Sequence, residues 1–185
     1  MLIKFAVKNF RGFAERIEWD LSHPSNYSFN TYAVKDGVIK NGIIYGPNGS
    51  GKSNFALAIF DIEYHLSVKW KKADYLSNYV YIGNPNSPVE FEYVFKFGND
   101  ILEYRYSKNA SGMLIAESLV ANNKQVFKRE NDVFEIDDDQ FRIDATVKEN
   151  FKQNVNSVSV INFLTASFPF PQGHYIVKLV LFVNT

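Results

Sequence analysis

Residues 42–54 read GIIYGPNGSGKSN, and the reading of the whole chain starts there. The spacing G-x-x-x-x-G-K-[ST] is met by Gly46, Gly51, Lys52 and Ser53. With glycine at ~7% of ordinary sequence, such a match arises by chance in roughly one random chain of this length in a hundred. The flanks narrow the odds further. NGIIY (41–45) reads as a short, fully apolar strand ending at a glycine. From Lys52 to about Lys69 the pattern turns helical, with Phe55, Ile59, Ile62 and Leu66 recurring at spacings of three and four. Strand, glycine loop and helix in that order are the setting a phosphate-binding loop requires.

Each residue type has a physical task. Gly46, Gly49 and Gly51 permit backbone angles closed to other residues, so successive N–H groups can turn inward as an anion nest. A helix opening near Lys52 adds its positive end and its unpaired amides at the same point. Lys52 is expected to reach the β and γ phosphates, and Ser53 to place its hydroxyl on a magnesium ion bridging them. The candidate nucleotide site is therefore Gly46, Pro47, Asn48, Gly49, Ser50, Gly51, Lys52, Ser53 and Asn54, with a nucleoside triphosphate (ATP by the family resemblance given below) and Mg2+ as its cofactors and Ser53 as the metal ligand.

Outward from the loop, residues 2–9 read as a strand and ERIEWDL (15–21) as its returning neighbour. FNTYAV (29–34) reads as another short strand, and 71–86 as polar loop. Beyond it the period becomes two. VEFEYVFKF (89–97) sets Val89, Phe91, Tyr93, Phe95 and Phe97 on one face, and ILEYRY, MLIAESLVA, QVFKR and DVFEI follow between Asn- and Gly-rich turns. Together they make an antiparallel meander over about 88–136. Its aromatic stripe invites comparison with a base-stacking sheet, but an amphipathic strand needs a buried face in any case. TVKENFKQNV (146–155) reads as helix, SVSVINFL (157–164) as strand or helix, and HYIVKLVLFVNT as an apolar element beginning after FPFPQG.

The composition sets limits. Of 185 residues nearly half are hydrophobic, with 17 Phe and 11 Tyr, enough for a packed core and against disorder. Twenty basic and twenty acidic side chains cancel, so nucleic acid or an anionic membrane is not drawn by net charge and any such contact needs a local patch. There is no cysteine, which excludes disulfides and thiolate metal sites, and His23, His65 and His174 are too scattered for ligand spacing. The opening MLIKFAVKNF lacks the features of a signal peptide, and IVKLVLFV is too short to span a bilayer, so the expected location is cytoplasmic with no membrane partner.

Two motifs together give the chain a likeness. VKNFRGF (7–13) stands at the start and YGPNGSGKSN follows some thirty residues later. The combination resembles the ABC-type ATPase heads of the RecF, SMC and DNA-repair families. It looks most like the bacterial AAA-labelled ATPases related to the overcoming-lysogenization-defect proteins. The resemblance covers roughly residues 1–70. It implies an α/β fold: a P-loop NTPase, ABC-head-like mixed sheet around the loop, extended by the antiparallel β subdomain. It also implies that Arg11, and with it Asn9, help to bind phosphate or base, although an arginine beside Gly12 at a strand end is equally a solvated turn.

Hydrolysis in that family uses more parts: an apolar strand ending Asp-Glu, a Leu-Ser-Gly-Gly-type signature from a second subunit, a Gln and a late His. VFEIDDD (133–139) is interrupted by Glu135 and belongs to the meander, LAIFDIE (57–63) lies on the loop's own helix, and no Ser-Gly-Gly occurs. Gln153 and Gln172 have no context that marks either as the Gln. The expectation is a single N-terminal nucleotide-binding lobe over 1–185, cut from a longer ATPase and by itself inactive or very weak. Its parent would dimerise through ATP and act on DNA or an effector protein, in DNA repair or phage defence by resemblance. Two other readings are a non-catalytic, nucleotide-responsive module that binds protein partners, and a nucleic-acid sheet using Arg105, Lys124, Lys128 and Arg129.

Overall fold

The computed structural model describes residues 1–25, 31–67, 73–131, 133–153 and 158–184. Two strands open the chain, β1 (Leu2–Lys8) and β2 (Ile17–Asp20), antiparallel to each other. A one-turn 3-10 helix (Thr31–Ala33) leads into a small ladder of β3 (Val34–Lys35) and β4 (Val38–Ile39). The strand expected at 29–34 is thus confined to Val34, with residues 29 and 30 outside the described ones.

The helical stretch after the glycine loop divides in two. α1 (Lys52–Ile59) ends at Phe60 and α2 (Asp61–Leu66) begins at the next residue. At the junction the Glu63 amide bonds back only three residues, to the Phe60 carbonyl at 3.1 Å, a tightened turn that re-aims the second helix. Residues 68 and 69 of the expected helix lie outside the described residues. A single turn, α3 (Ala73–Leu76), falls within the stretch expected to be loop.

The alternating segments form β5 (Val89–Phe97), β6 (Asp100–Lys108), β7 (Leu114–Ala121), β8 (Lys124–Glu130) and β9 (Val133–Ile136). Between β7 and β8 the turn residues Asn122 and Asn123 both have positive φ, 51° and 64°, the geometry that a two-residue hairpin turn needs and asparagine tolerates. Three helices close the chain: α4 (Ala145–Gln153), α5 (Val160–Ser167) and α6 (Tyr175–Asn184). α5 settles the ambiguity at 157–164 as helix, because Ser159 caps it by accepting a bond from the Asn162 amide at 3.1 Å. Residues 154–157 of these two expectations lie outside the described residues.

The fold therefore mixes helices and strands, but the sheet is antiparallel at every pairing. Its seven strands run β2-β1-β5-β6-β7-β8-β9. The meander is not a separate layer: β5 pairs directly with β1, so the N-terminal strands and the meander are one sheet. In register, Trp19, Phe5, Tyr93, Tyr104, Leu119, Phe127 and Ile136 make one row across it. The next such row is Val7, Phe91, Tyr106, Glu117, Arg129 and Phe134. These rows face the helices and form the core, so the aromatic stripe of β5 is buried. The opposite face carries charges in cross-strand pairs. Glu92 there takes Lys4 at 3.6 Å, Arg16 at 3.2 Å and Arg105 at 3.0 Å.

The apolar strand expected at 41–45 does not form. Those residues have no regular structure, and Ile43 and Tyr45 are about nine-tenths exposed. A strand needs neighbours for its N–H and C=O groups, and residues 41–45 pair with no strand of either sheet. The expected mixed sheet around this segment is thus replaced, among the described residues, by the antiparallel one. No helix among the described residues is long and apolar enough to cross a membrane.

Candidate functional site

The glycine loop leads directly into α1. Gly49 and Gly51 have φ of 80° and 91°, angles a side-chain residue resists. Gly51 is also the N-cap of α1, and no side chain caps the helix. The Phe55 amide is bonded to the Gly51 carbonyl at 2.9 Å, so the amides of Lys52, Ser53 and Asn54 precede the first intrahelical bond and are open to an anion. Lys52 folds back over the loop and donates to the carbonyl oxygens of Gly46 and Pro47 at 2.7 and 2.8 Å. The Ser50 amide meets the Pro47 carbonyl at 3.3 Å, closing the turn. Ser53 is exposed at the helix start. The donors gathered at the loop are backbone amides, one ammonium and one hydroxyl.

An open groove of about 440 Å³ lies against this loop. One side is the loop, Ile44–Pro47 and Ser50–Lys52; the other is aromatic and aliphatic, with Phe13, Ile17, Trp19 and Phe55. Trp19 meets Phe55 edge-on with ring centroids 5.6 Å apart. Gly42 lies against the same indole, where a Cβ would come within 2.7 Å of Cζ2. Glu18 also lines the groove, its charge held by Lys4 at 3.1 Å and Arg16 at 3.1 Å. The bond to Lys4 and then that to Arg16 keep the Glu18 carboxyl below the usual glutamate range.

The Asn-Phe-Arg turn reaches the loop through its last two residues. A Cβ on Gly51 would meet the Phe13 ring at 3.0 Å, and one on Gly12 would meet Asn54 Nδ2 at 3.4 Å. Asn9 and Arg11 themselves face elsewhere. Asn9 is buried at φ 59°, and its side-chain amide donates to the carbonyls of Asn84, Ser87 and Pro88 at 3.1, 2.8 and 3.2 Å. Arg11, at φ 49°, donates from Nη2 to the Tyr75 carbonyl at 2.7 Å and lies over the rings of Phe10 and Tyr75. Both residues thus fasten segment 75–88 to the end of β1. Phe13 and Tyr45 stand inside the quoted motifs without a role assigned to them, and Trp19 lies in the strand ERIEWDL outside both motifs.

The four cations of the nucleic-acid reading are engaged in ion pairs. Arg105 meets Glu92 at 3.0 Å and Glu103 at 2.5 Å, Lys124 meets Asp137 at 2.7 Å, and Lys128 meets Glu130 at 3.0 Å. Arg129 is fully buried, paired with buried Glu117 at 3.0 Å. A binding surface of free cations is not what these residues make. VFEIDDD supplies Asp137 to Lys124 and Asp138 to Lys148 and forms no acidic pair beside the loop. The aspartate of LAIFDIE, Asp61, points into the core instead.

No protein-family model matches the chain, and a search of curated proteins finds no match.

Proposed function

We propose that this chain is a nucleotide-binding lobe of the P-loop class, which takes ATP with Mg2+ at Gly46–Asn54. The observation that carries the reading is the loop's geometry: left-handed glycines at 49 and 51, an uncapped helix start, and Lys52 poised over the loop. Bound phosphate would take the amides of residues 51–54, and Lys52 would exchange two carbonyl oxygens for phosphate oxygens of full charge, a stronger bond. Ser53 would hold the magnesium ion, which supplies charge neutralisation between the β and γ phosphates. The aromatic side of the groove gives the nucleoside a surface to lie on.

The resemblance of residues 1–70 to ABC-type heads supports ATP as the nucleotide and an ATPase as the parent activity. On that reading turnover belongs to an acid-ended strand, a signature loop and a second subunit, with the dimer formed around ATP and its output directed at DNA or an effector protein. Arg11 would then act after releasing the Tyr75 carbonyl it now holds. The second reading is a non-catalytic module in which nucleotide is a ligand alone. The exposed, unpaired Ile43–Tyr45 beside the loop favours it as a segment free to gain a partner on occupancy.

Calorimetric titration with magnesium and a non-hydrolysable ATP analogue tests the reading. Saturable binding lost in Lys52→Ala supports it; a folded chain that binds no nucleotide rejects it. Both readings expect little phosphate release from this chain alone, and an apolar strand ending Asp-Glu encoded in the complete gene then separates the enzyme from the module.

A further inference from the structure

Asp61 is a carboxylate with no exposure to solvent, set one residue beyond the end of the phosphate-loop helix. It accepts four bonds, two on each oxygen. Oδ2 takes the hydroxyls of Tyr75 and Tyr79 at 2.6 and 2.7 Å. Oδ1 takes the Tyr106 hydroxyl at 2.8 Å and the Lys108 ammonium. Four donors fill the acceptor capacity of an ionised carboxylate, and Lys108 balances its charge. The same two tyrosines hold the Asn-Phe-Arg turn by their other ends. The Arg11 amide donates to the Tyr79 carbonyl at 3.0 Å, and Arg11 Nη2 to the Tyr75 carbonyl at 2.7 Å. The turn in its own right rests on the start of α1, Phe13 against Gly51 and Gly12 against Asn54. The contacts therefore close a ring around the phosphate-loop helix. Its far end is pinned by Asp61, its near end by the turn, and Tyr75 and Tyr79 join the two.

We propose that Asp61 is a positioning residue that, through Tyr75 and Tyr79, clamps the Asn9–Phe13 turn onto the start of the phosphate-loop helix, so that occupancy of the loop and the posture of Arg11 depend on each other. A buried charge is a costly way to gain stability, since apolar packing does as well. What a fully bonded carboxylate adds is a single allowed arrangement of its donors. The coupling is reciprocal: a ligand that orders residues 51–54 orders the turn, and an altered turn weakens the ligand by the same factor. The ligand half of the proposal rests on the nucleotide reading above; the ring does not.

The test uses the whole chain and two variants. Tyr75→Phe/Tyr79→Phe removes the two hydroxyls that tie Asp61 to the turn, leaving Lys108 paired. Tyr106→Phe removes a hydroxyl from the same carboxylate on the sheet side. Hydrogen exchange without ligand is expected to rise at least tenfold at the hydrogen-bonded amides of Arg11, Phe13 and Phe55 in the first variant only, with β6–β8 unchanged. Affinity for the magnesium–ATP analogue is expected to fall about tenfold in the first and to stay within threefold in the second. Adding Arg11→Ala to the first variant should cost no more than Arg11→Ala alone. The proposal is overturned if the two variants give the same exchange pattern, if exchange rises evenly across the sheet, or if the Arg11 effect is additive. Should Lys52→Ala bind like the wild type, the nucleotide reading falls, and the exchange pattern still decides the ring.

Discussion

Lys52 spends its ammonium on two carbonyl oxygens of its own loop, a weak use of a charge that phosphate oxygens would take over. Lys52→Ala should therefore lower nucleotide affinity by at least ~10-fold while changing stability by no more than about 0.5 kcal/mol, since the residue lies near the surface. Titration and denaturation on the same sample check both halves. Gly51→Ala should lose both: φ of 91° and the Phe13 ring at 3.0 Å resist a Cβ, at a cost of about 1–3 kcal/mol along with the binding. Asn9 separates backbone from side chain. Asn9→Gly keeps the left-handed backbone and removes three bonds to segment 84–88, so it should destabilise by about 1–3 kcal/mol and speed exchange in residues 81–88. A loss confined to nucleotide affinity would instead give Asn9 the ligand role that the family resemblance implies. The glycine turn opening a helix at Lys52 was legible in the sequence because positive φ at Gly49 and Gly51 is a local backbone requirement. Phe13 and Trp19 were not, because their place beside the loop depends on how β2 folds back.

At the scale of the element, the helix after the loop and the segment before it diverge from the same kind of signal. Apolar spacing at 55, 59, 62 and 66 predicts one helix, and the break at Phe60 divides it and turns α2 so that Asp61, Ile62 and Leu66 are buried. LAIFDIE was set aside as part of the loop's own helix, and the burial of Asp61 could not be read because its partners lie on distant strands and turns. NGIIY looked like a core strand because five residues carry no information about who would pair with them. The structure predicts different costs for these two apolar stretches. Ile43→Ser and Tyr45→Ser should each shift unfolding by less than about 0.5 kcal/mol. Ile62→Ala should cost about 2–5 kcal/mol in the same urea titration. A large loss from Ile43→Ser would mean that the segment is packed as a strand after all.

For the whole molecule, the sheet's core face holds two buried ion pairs, Asp61–Lys108 and Glu117–Arg129, among aromatic rings. Glu117 also accepts from the Tyr104 hydroxyl at 2.7 Å and the Val160 amide at 2.8 Å, tying α5 to the sheet. Removing one partner strands a charge, so Arg129→Met should destabilise by about 3–5 kcal/mol, while Glu117→Gln with Arg129→Met should recover part of it. The pairs titrate with opposite sign. Burial alone would raise the Asp61 carboxyl, yet Lys108 and the tyrosines hold it below the ordinary aspartate range. Its contribution is complete above an unfolded pKa of about 3.9 and is lost as pH falls toward the folded value. Glu92 behaves alike: burial raises it, and Arg105, Arg16 and Lys4 outweigh that. Burial lifts Glu117 against the pull of Arg129, so its share of stability falls as pH rises through the interval above about 4.3. Stability should decline below pH ~4, and less steeply in Asp61→Asn/Lys108→Met. Parallel declines in the two proteins would remove Asp61 as a source.

Short-range chemistry was readable from the residues alone. Period two and Asn or Gly turns set the strands from 89 to 136, since each side chain's face follows from the pleat and each turn from local φ. Glycine spacing with Lys52 and Ser53 set the loop at a helix start. Only the tertiary structure decided that β5 joins β1 to make one antiparallel sheet, that 41–45 remains unpaired, and that Asp61, Lys108, Glu117 and Arg129 neutralise one another inside the core. Pairing and charge compensation are relations between residues far apart in the chain, and no local pattern states the partner.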